Sequence, residues 1–353
     1  SIPSVSLTFA LDFNLTWSST TGPMQQTDMN YDAALEVFLS ADASYAGGLS
    51  NHGPMAVEAL VSMGKDEWIG AFVEEYRTRL ESPRHAVIAA PEAWEAWLRP
   101  RLRELIAQTA NLAGHGLLRV AHAVRGLERS AVAGGVSSVQ LRELGAAVAY
   151  WEHGGAGIAG PDALTGTTSP GAWADGLDRL DPDERSDGML TETLARAAAD
   201  TDFASRIAAL APSPDPAATL DALATAAAEA FLRNQALAAF AILHGATVSS
   251  MARVLLPHLD EVDGRRLEAA VAGFVGAALM GFDDQAPSAT PDAATPLPDP
   301  SQLAEMAAAT LEDHTIKFAD ACLGVAARTG ATLPLRALRR QVTTPYGLSL
   351  IHI

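Results

Sequence analysis

Five of the nine histidines in this 353-residue chain stand among small or apolar neighbours. They are His52 in NHGPM, His115 and His122 in GHGLLRVAH, His244 in ILHGAT and His314 in EDHTIK. An imidazole in such surroundings must be hydrogen-bonded, held neutral or bound to a metal. For any one of them a hydrogen-bonded core histidine is the simpler reading. Five together point to a shared purpose, because burying that many imidazoles separately is expensive. The expectation is one buried site to which several helices each deliver a histidine.

Spacing divides the set. His115 and His122 are seven residues apart, two turns up one helix face and roughly 10 Å along its axis, so they can line one cavity but not grip one ion together. His314 and Lys317 are three apart, hence neighbours on a helix face. A lysine ammonium aimed at a metal repels it, whereas the carbamate formed with CO2 is a long carboxylate and a good ligand. The plain alternative for Lys317 is a surface lysine with a snorkelling stem. Arg119, beside His115, can hold an anionic or phenolate substrate group, or pair with a neighbouring carboxylate. Glu58 can orient a ligand histidine, although a helix-surface carboxylate is the preferred reading. Three or four imidazoles with an oxygen ligand suit iron, zinc, copper or nickel. His85 and His153, which border loops, and His258, which follows Pro257, read as surface or capping residues.

Other chemistry is thinly represented. GAGIAG (155–160) has the letters of GxGxxG, but a helix precedes it and Pro161 follows, which speaks against a dinucleotide cradle. No cofactor-binding residue is assigned there. The chain has no GxxxxGK[ST], GxSxG or HExxH. Its single cysteine, Cys322, rules out an intramolecular disulfide and a multi-thiolate metal site, and fits a reducing cytoplasm.

The elements that must position the histidines read as helices throughout. Alanine and leucine, good helix formers, dominate a chain that is 48% apolar. Helices are expected over Met29–Leu39, Gly53–Met63, Lys65–Glu81, Pro91–Leu98, Leu102–Ala110 after a kink at Pro100, Leu112–Arg129 and Val139–His153. Further ones are expected over Thr191–Leu210, Ala217–Leu243 continuing or kinking to Leu259, Gly264–Phe282, Pro300–Arg328 and Leu333–Val342. No stretch alternates with period two, so no sheet is assigned. The class is all-α, a multi-helix, bundle-like globular domain over 29–342 with a buried histidine-lined site. Residues 1–28 read as a poorly ordered extension, 154–171 and 283–300 as loops, and 343–353, with His352, as a tail foreign to the fold. A net charge of −18 argues against nucleic acid and against an anionic membrane surface. No apolar run reaches a membrane span of about 18–20 residues, Ala269–Phe282 being the longest candidate.

In order along the chain, NHGPMAVEALVSMG with EEYRTRL, GHGLLRVAHAVRGL, AILHGATVSSMARVLLPHL and EDHTIKFADAC resemble the blocks of the questin oxidase-like family. The resemblance covers about residues 30–340. It implies an α-helical fold and an oxidoreductase that opens aromatic polyketide or quinone-like rings with O2, by Baeyer–Villiger-type or dioxygenase-like chemistry. It also implies a non-haem iron site, and NADPH as a co-substrate of some members. His52, His115, His244 and His314 fall on the family's histidine positions and Lys317 on its lysine. The chain departs from the fungal pattern at Arg119, where a second histidine is usual, and at His122, where an aromatic is. The resulting expectation is iron, or less favoured zinc, held by His52, His115, His244, His314 and carbamylated Lys317. His122 or Arg119 would handle the proton or negative charge of a planar phenolic substrate. A zinc-dependent hydrolase or lyase and a non-catalytic helical binding protein are the rivals.

Overall fold

Alanine-rich amphipathic stretches fold as α-helices over most of the residues that the computed structural model describes, which are 29–45, 48–80, 89–155, 157–158, 160–185, 189–284 and 296–344. The expected extension over 1–28, residues 285–295 of the expected linker, the tail beyond 344, His85 and His352 lie outside them. In chain order the helices are α1 (Tyr31–Leu39), α2 (Gly53–Ser62), α3 (Ile69–Tyr76), α4 (Trp94–Leu105), α5 (His115–Ala133), α6 (Ser138–Glu152), α7 (Pro170–Gly176) and α8 (Leu190–Ala198). They continue with α9 (Phe203–Ala208), α10 (Pro216–Arg233), α11 (Ala236–Leu255), α12 (Glu261–Phe282), α13 (Pro300–Ala309), α14 (Asp313–Thr329) and α15 (Leu333–Thr343). The all-α class therefore holds. Among the described residues the only ladder between strands is a small antiparallel pair, Ser44–Tyr45 with Leu49–Ser50.

Several expected helices are shorter or longer than their periodicity suggested, each for a local reason. Pro100 sits inside α4 without ending it, because Trp94, Leu98, Leu102 and Leu105 are all buried along one face. The stretch 191–210 breaks into α8 and α9 where the Asp200 carboxylate accepts the backbone N–H of Asp202 at 2.7 Å, a turn bond that competes with the helix. Asn234 separates α10 from α11, its amide donating to the carbonyl of Ala230 and to Asp283. Asp283, expected to open a loose linker, is fully buried and receives Arg179, Arg233 and Asn234.

Packing puts four helices in a closed ring: α2 on α5, α5 on α11, α11 on α14 and α14 on α2. A smaller apolar cluster formed around α1–α3, with Phe38, Phe72 and Tyr76 in edge and stacked contact, abuts this ring. The larger cluster runs from α4 to α15. One correction concerns α11. Leu237–His258 is long and apolar enough by length and hydropathy to cross a membrane, yet 83% of that window is buried inside the protein. It is the central core helix, which is why its apolar faces read all round.

Candidate metal centre

Three of the four ring helices begin at the site. His52 is the residue before α2, where Asn51 accepts the N–H of Gly53 at 3.1 Å and Pro54 fits the first turn. Gly53 lies so close to the Phe38 ring that a Cβ has no room. The backbone N–H of His52 donates to the Tyr76 hydroxyl at 2.8 Å, tying the loop to the aromatic cluster. His115 is the first residue of α5, and His314 is the second of α14, whose N-terminus is capped by Glu312 through the N–H groups of His314 and Thr315. His244 projects from the middle of α11.

The four imidazoles meet. His52 stacks on His115 with ring centroids 4.6 Å apart, and His314 stands edge-on to His52 at 4.5 Å. His244 closes the circle at 5.1 Å from His115 and 5.4 Å from His314, and Phe240 packs against both His244 and His314. Candidate ligand atoms of His52, His115 and His314 all lie within 4.8 Å of one another.

Each ring is turned the same way by an oxygen behind it. The Nδ1–H of His52 donates to Asp313, that of His115 to the Leu112 carbonyl at 2.5 Å, and that of His244 to the Phe240 carbonyl at 3.0 Å. The Nδ1–H of His314 is shared by Glu312 and Asp313, each at 3.1 Å. With Nδ1 protonated, Nε2 carries the lone pair. The Nε2 atoms of His52, His115 and His244 are buried without a hydrogen-bond partner, and so is the Nζ of Lys317. Orphaned buried nitrogens are rare because each is costly. Lone pairs fixed from behind by carboxylates and carbonyls are what a metal ion requires of its histidines, so the residues fit one.

Electrostatics agree with a neutral imidazole at three of the four rings. Burial lowers His52 to about 3, with nearby Lys317 adding to the effect. Burial likewise holds His115 and His244 well below the ordinary imidazole value. His314 is raised: burial lowers it, but Asp313 and Glu312 together outweigh that burial. Lys317 is lowered by burial to about 8, so a sizeable neutral fraction exists near neutral pH. The surface-lysine alternative is thereby overturned, since Lys317 is 3% exposed.

A pH dependence follows for the metal-free protein. A histidine lowered in the fold stays neutral while its unfolded counterpart takes up a proton, so stability falls as pH drops through about 6.5, by up to about 1.4 kcal/mol per pH unit for each such group. His52, His115, His244 and His122 contribute in this direction. His314 opposes them, its contribution being full below about 6.5 and lost as pH rises through its folded value. Thermal midpoints of chelator-treated protein should fall steadily between pH 7 and pH 4; a flat profile would contradict the neutral imidazoles.

His122 and Arg119 are held elsewhere. The Nδ1–H of His122 donates to Glu58 at 2.7 Å, and Arg119 makes a two-pronged bond to Glu143 at 2.7 and 2.9 Å. Arg119 keeps one buried Nη1 without a partner, and its guanidinium lies 6.0 Å from the Tyr150 ring centre. Glu58, expected on a helix surface, is fully buried and also accepts from Arg125 and Arg129. His258, expected at the surface, is buried and bonded to Glu128 at 3.0 Å. His153 is exposed, as expected. Sequence reasoning missed Asp313, which bridges His52 and His314; its only trace was an acidic pair just ahead of a helix histidine.

The continuous helix expected from Leu112 is corrected too. Leu112, Ala113 and Gly114 all have positive φ, at 52°, 53° and 82°, and this left-handed run turns the chain so that α5 starts with His115 facing inward. Such a run is strained for non-glycine residues and is retained where the surroundings enforce it. At Gly114 a Cβ would also lie 2.5 Å from buried Val248. Gly114→Ala is expected to cost about 2–4 kcal/mol in urea unfolding, from the left-handed backbone and overpacking together. A loss under 1 kcal/mol would mean that the turn relaxes freely.

No protein-family model, curated protein or solved structure matches the chain, so the likeness to questin oxidases rests on its residue blocks alone.

Proposed function

We propose that the chain is a metal-dependent oxidoreductase of the questin oxidase type, opening the ring of an aromatic, quinone-like substrate with O2. The observation that carries this reading is the set of buried, unpartnered Nε2 atoms on His52, His115 and His244, in contact with His314 and beside Lys317. His52, His115 and His314 would hold the ion, with His244 and Lys317 completing the shell. Bound non-haem iron would supply redox chemistry that the side chains lack.

The chain's own residues do the rest. Asp313 fixes the rings of His52 and His314, and the Leu112 and Phe240 carbonyls fix the other two. Neutral Lys317 can attack CO2: its Nζ lone pair forms the N–C bond as one C–O π pair moves onto oxygen, the nitrogen's proton is released to solvent, and the carbamate carries one negative charge. The N-termini of α2, α5 and α14 favour such an anion at the site. Arg119 and His122 are committed to Glu143 and Glu58, so we assign neither of them to the phenolate or its proton.

A specific observation favours a second reading. One group whose candidate ligand atoms lie within 4.8 Å of one another is three histidines, the ligand number of a catalytic zinc site with one open position, so zinc-dependent hydrolysis or elimination is the competing activity. Metal analysis of protein purified without added metal, followed by turnover of hydroxyanthraquinones with and without O2, separates the two. One equivalent of iron, oxygen-dependent turnover and a response to added NADPH are expected. Zinc without iron, and activity that persists anaerobically, would overturn the oxygenase.

A further inference from the structure

Further along the four ring helices, away from the histidines, lies a cavity of about 570 Å³, within the size range of small-molecule sites. Ser62 of α2, Arg125 of α5, Arg253 of α11 and Arg328 of α14 lie on its wall, and α13 closes one side with Ser301. Three guanidinium groups around one cavity are not explained by the bulk charge of a chain at −18.

Their counter-charges are arranged asymmetrically. Arg125 is held by Glu58 and Asp320, and Arg253 and Arg328 are both held by Asp221 at 2.7 and 2.8 Å. The carboxylate side chains are 0%, 6% and 7% exposed, whereas the arginine side chains are 24%, 28% and 34% exposed. Glu58 and Asp221 stand off the cavity wall and fix the planes of the guanidinium groups, and Asp320 shares the wall with them. Among the described residues Asp320 is the one carboxylate on the wall. Val254 and Leu323 add an apolar flank. Pre-oriented guanidinium groups recognise carboxylate and phosphate oxygens through charge-assisted, often paired hydrogen bonds.

We propose that this cavity binds a small oxyanion, a carboxylate or phosphate, carried on a body that covers the apolar flank. The site is independent of the metal reading, and it touches every helix that carries a histidine of the ring.

The test is calorimetric titration of the metal-free full chain with inorganic phosphate and with benzene-1,2-dicarboxylate. Ser301→Glu is the decisive variant: the residue is exposed in the first turn of α13, where an acid suits the helix N-terminus and folding is preserved. Ser62→Glu repeats the added charge from the α2 side. Saturable binding by the wild-type chain, weakened at least about tenfold in either variant at an unchanged melting temperature, is the expected result. Preference for the dicarboxylate marks an organic anion, and equal or tighter phosphate binding marks a phosphate. If neither probe saturates the wild-type chain, or both variants bind as it does, the proposal is wrong.

Discussion

Glu58→Ala is expected to lower the unfolding free energy by about 3–5 kcal/mol, the cost of removing one partner from a buried ion cluster. Glu58 is fully buried and accepts from the His122 Nδ1–H at 2.7 Å, from Arg125 Nη2 at 2.5 Å and from Arg129 Nη1 at 2.7 Å. Alanine would leave Arg125 with Asp320 alone, and His122 and Arg129 without their carboxylate. Arg125 and Arg129 are partly exposed and can turn toward water, which places the loss at the lower end of that range. Acid titration gives a second signature. Against its burial, Arg125 and His122 hold the Glu58 carboxyl well below the usual range. A carboxylate depressed in the fold contributes its stability above the unfolded value of about 4.3 and loses it as pH falls toward the folded one. The gap between wild type and Glu58→Ala should therefore be full at pH 7 and narrow below about pH 4. A gap that stays constant down to pH 3 would show that the fold does not depress the Glu58 carboxyl.

The same cluster shows where sequence reasoning reaches and where it stops. His122, Arg125 and Arg129 recur at helical spacing along one face of α5, and a basic stripe on an otherwise apolar helix was a signal for a buried acid opposite. It did not say which acid, because Glu58 lies in a different helix, where a lone carboxylate inside an apolar run reads as a surface residue. His115 and His244 were legible because they stand among glycine, alanine or leucine, where imidazole has no reason to be exposed, whereas His52 and His314 have a polar residue beside them and gave a weaker signal. Lys317 was legible through its spacing from His314 and through the family resemblance. The bridge from Asp313 to His52 spans 261 residues, and no local pattern encodes such a pairing. Nor does NLAG (111–114) announce a left-handed run, since leucine and alanine there favour the helix that the periodicity suggested. The backbone is bent by tertiary packing around His115, which local propensity cannot see.

Asp313 carries the other large expectation. It is 2% exposed and is bonded to the Nδ1 atoms of both His52 and His314, so it sets the orientation of two rings at once. Those two partners hold its carboxyl well below the ordinary value despite burial, which keeps it an anion beside the site and raises the basicity of the imidazoles it faces. Asp313→Asn preserves the shape but removes the charge, and its amide can present a donor where the histidines need an acceptor. Metal affinity should fall roughly 10–100-fold, as for other groups that orient a metal-bound histidine. His52→Ala removes a ligand outright and should lose more. Titration of metal-free protein with Co(II), read from its visible absorption, gives both values without any assay of turnover. Wild-type affinity in Asp313→Asn together with a loss in His52→Ala would confine Asp313 to packing. Wild-type affinity in His52→Ala, with His115→Ala behaving alike, would show that the four rings are a buried hydrogen-bonded cluster and that metal binds elsewhere.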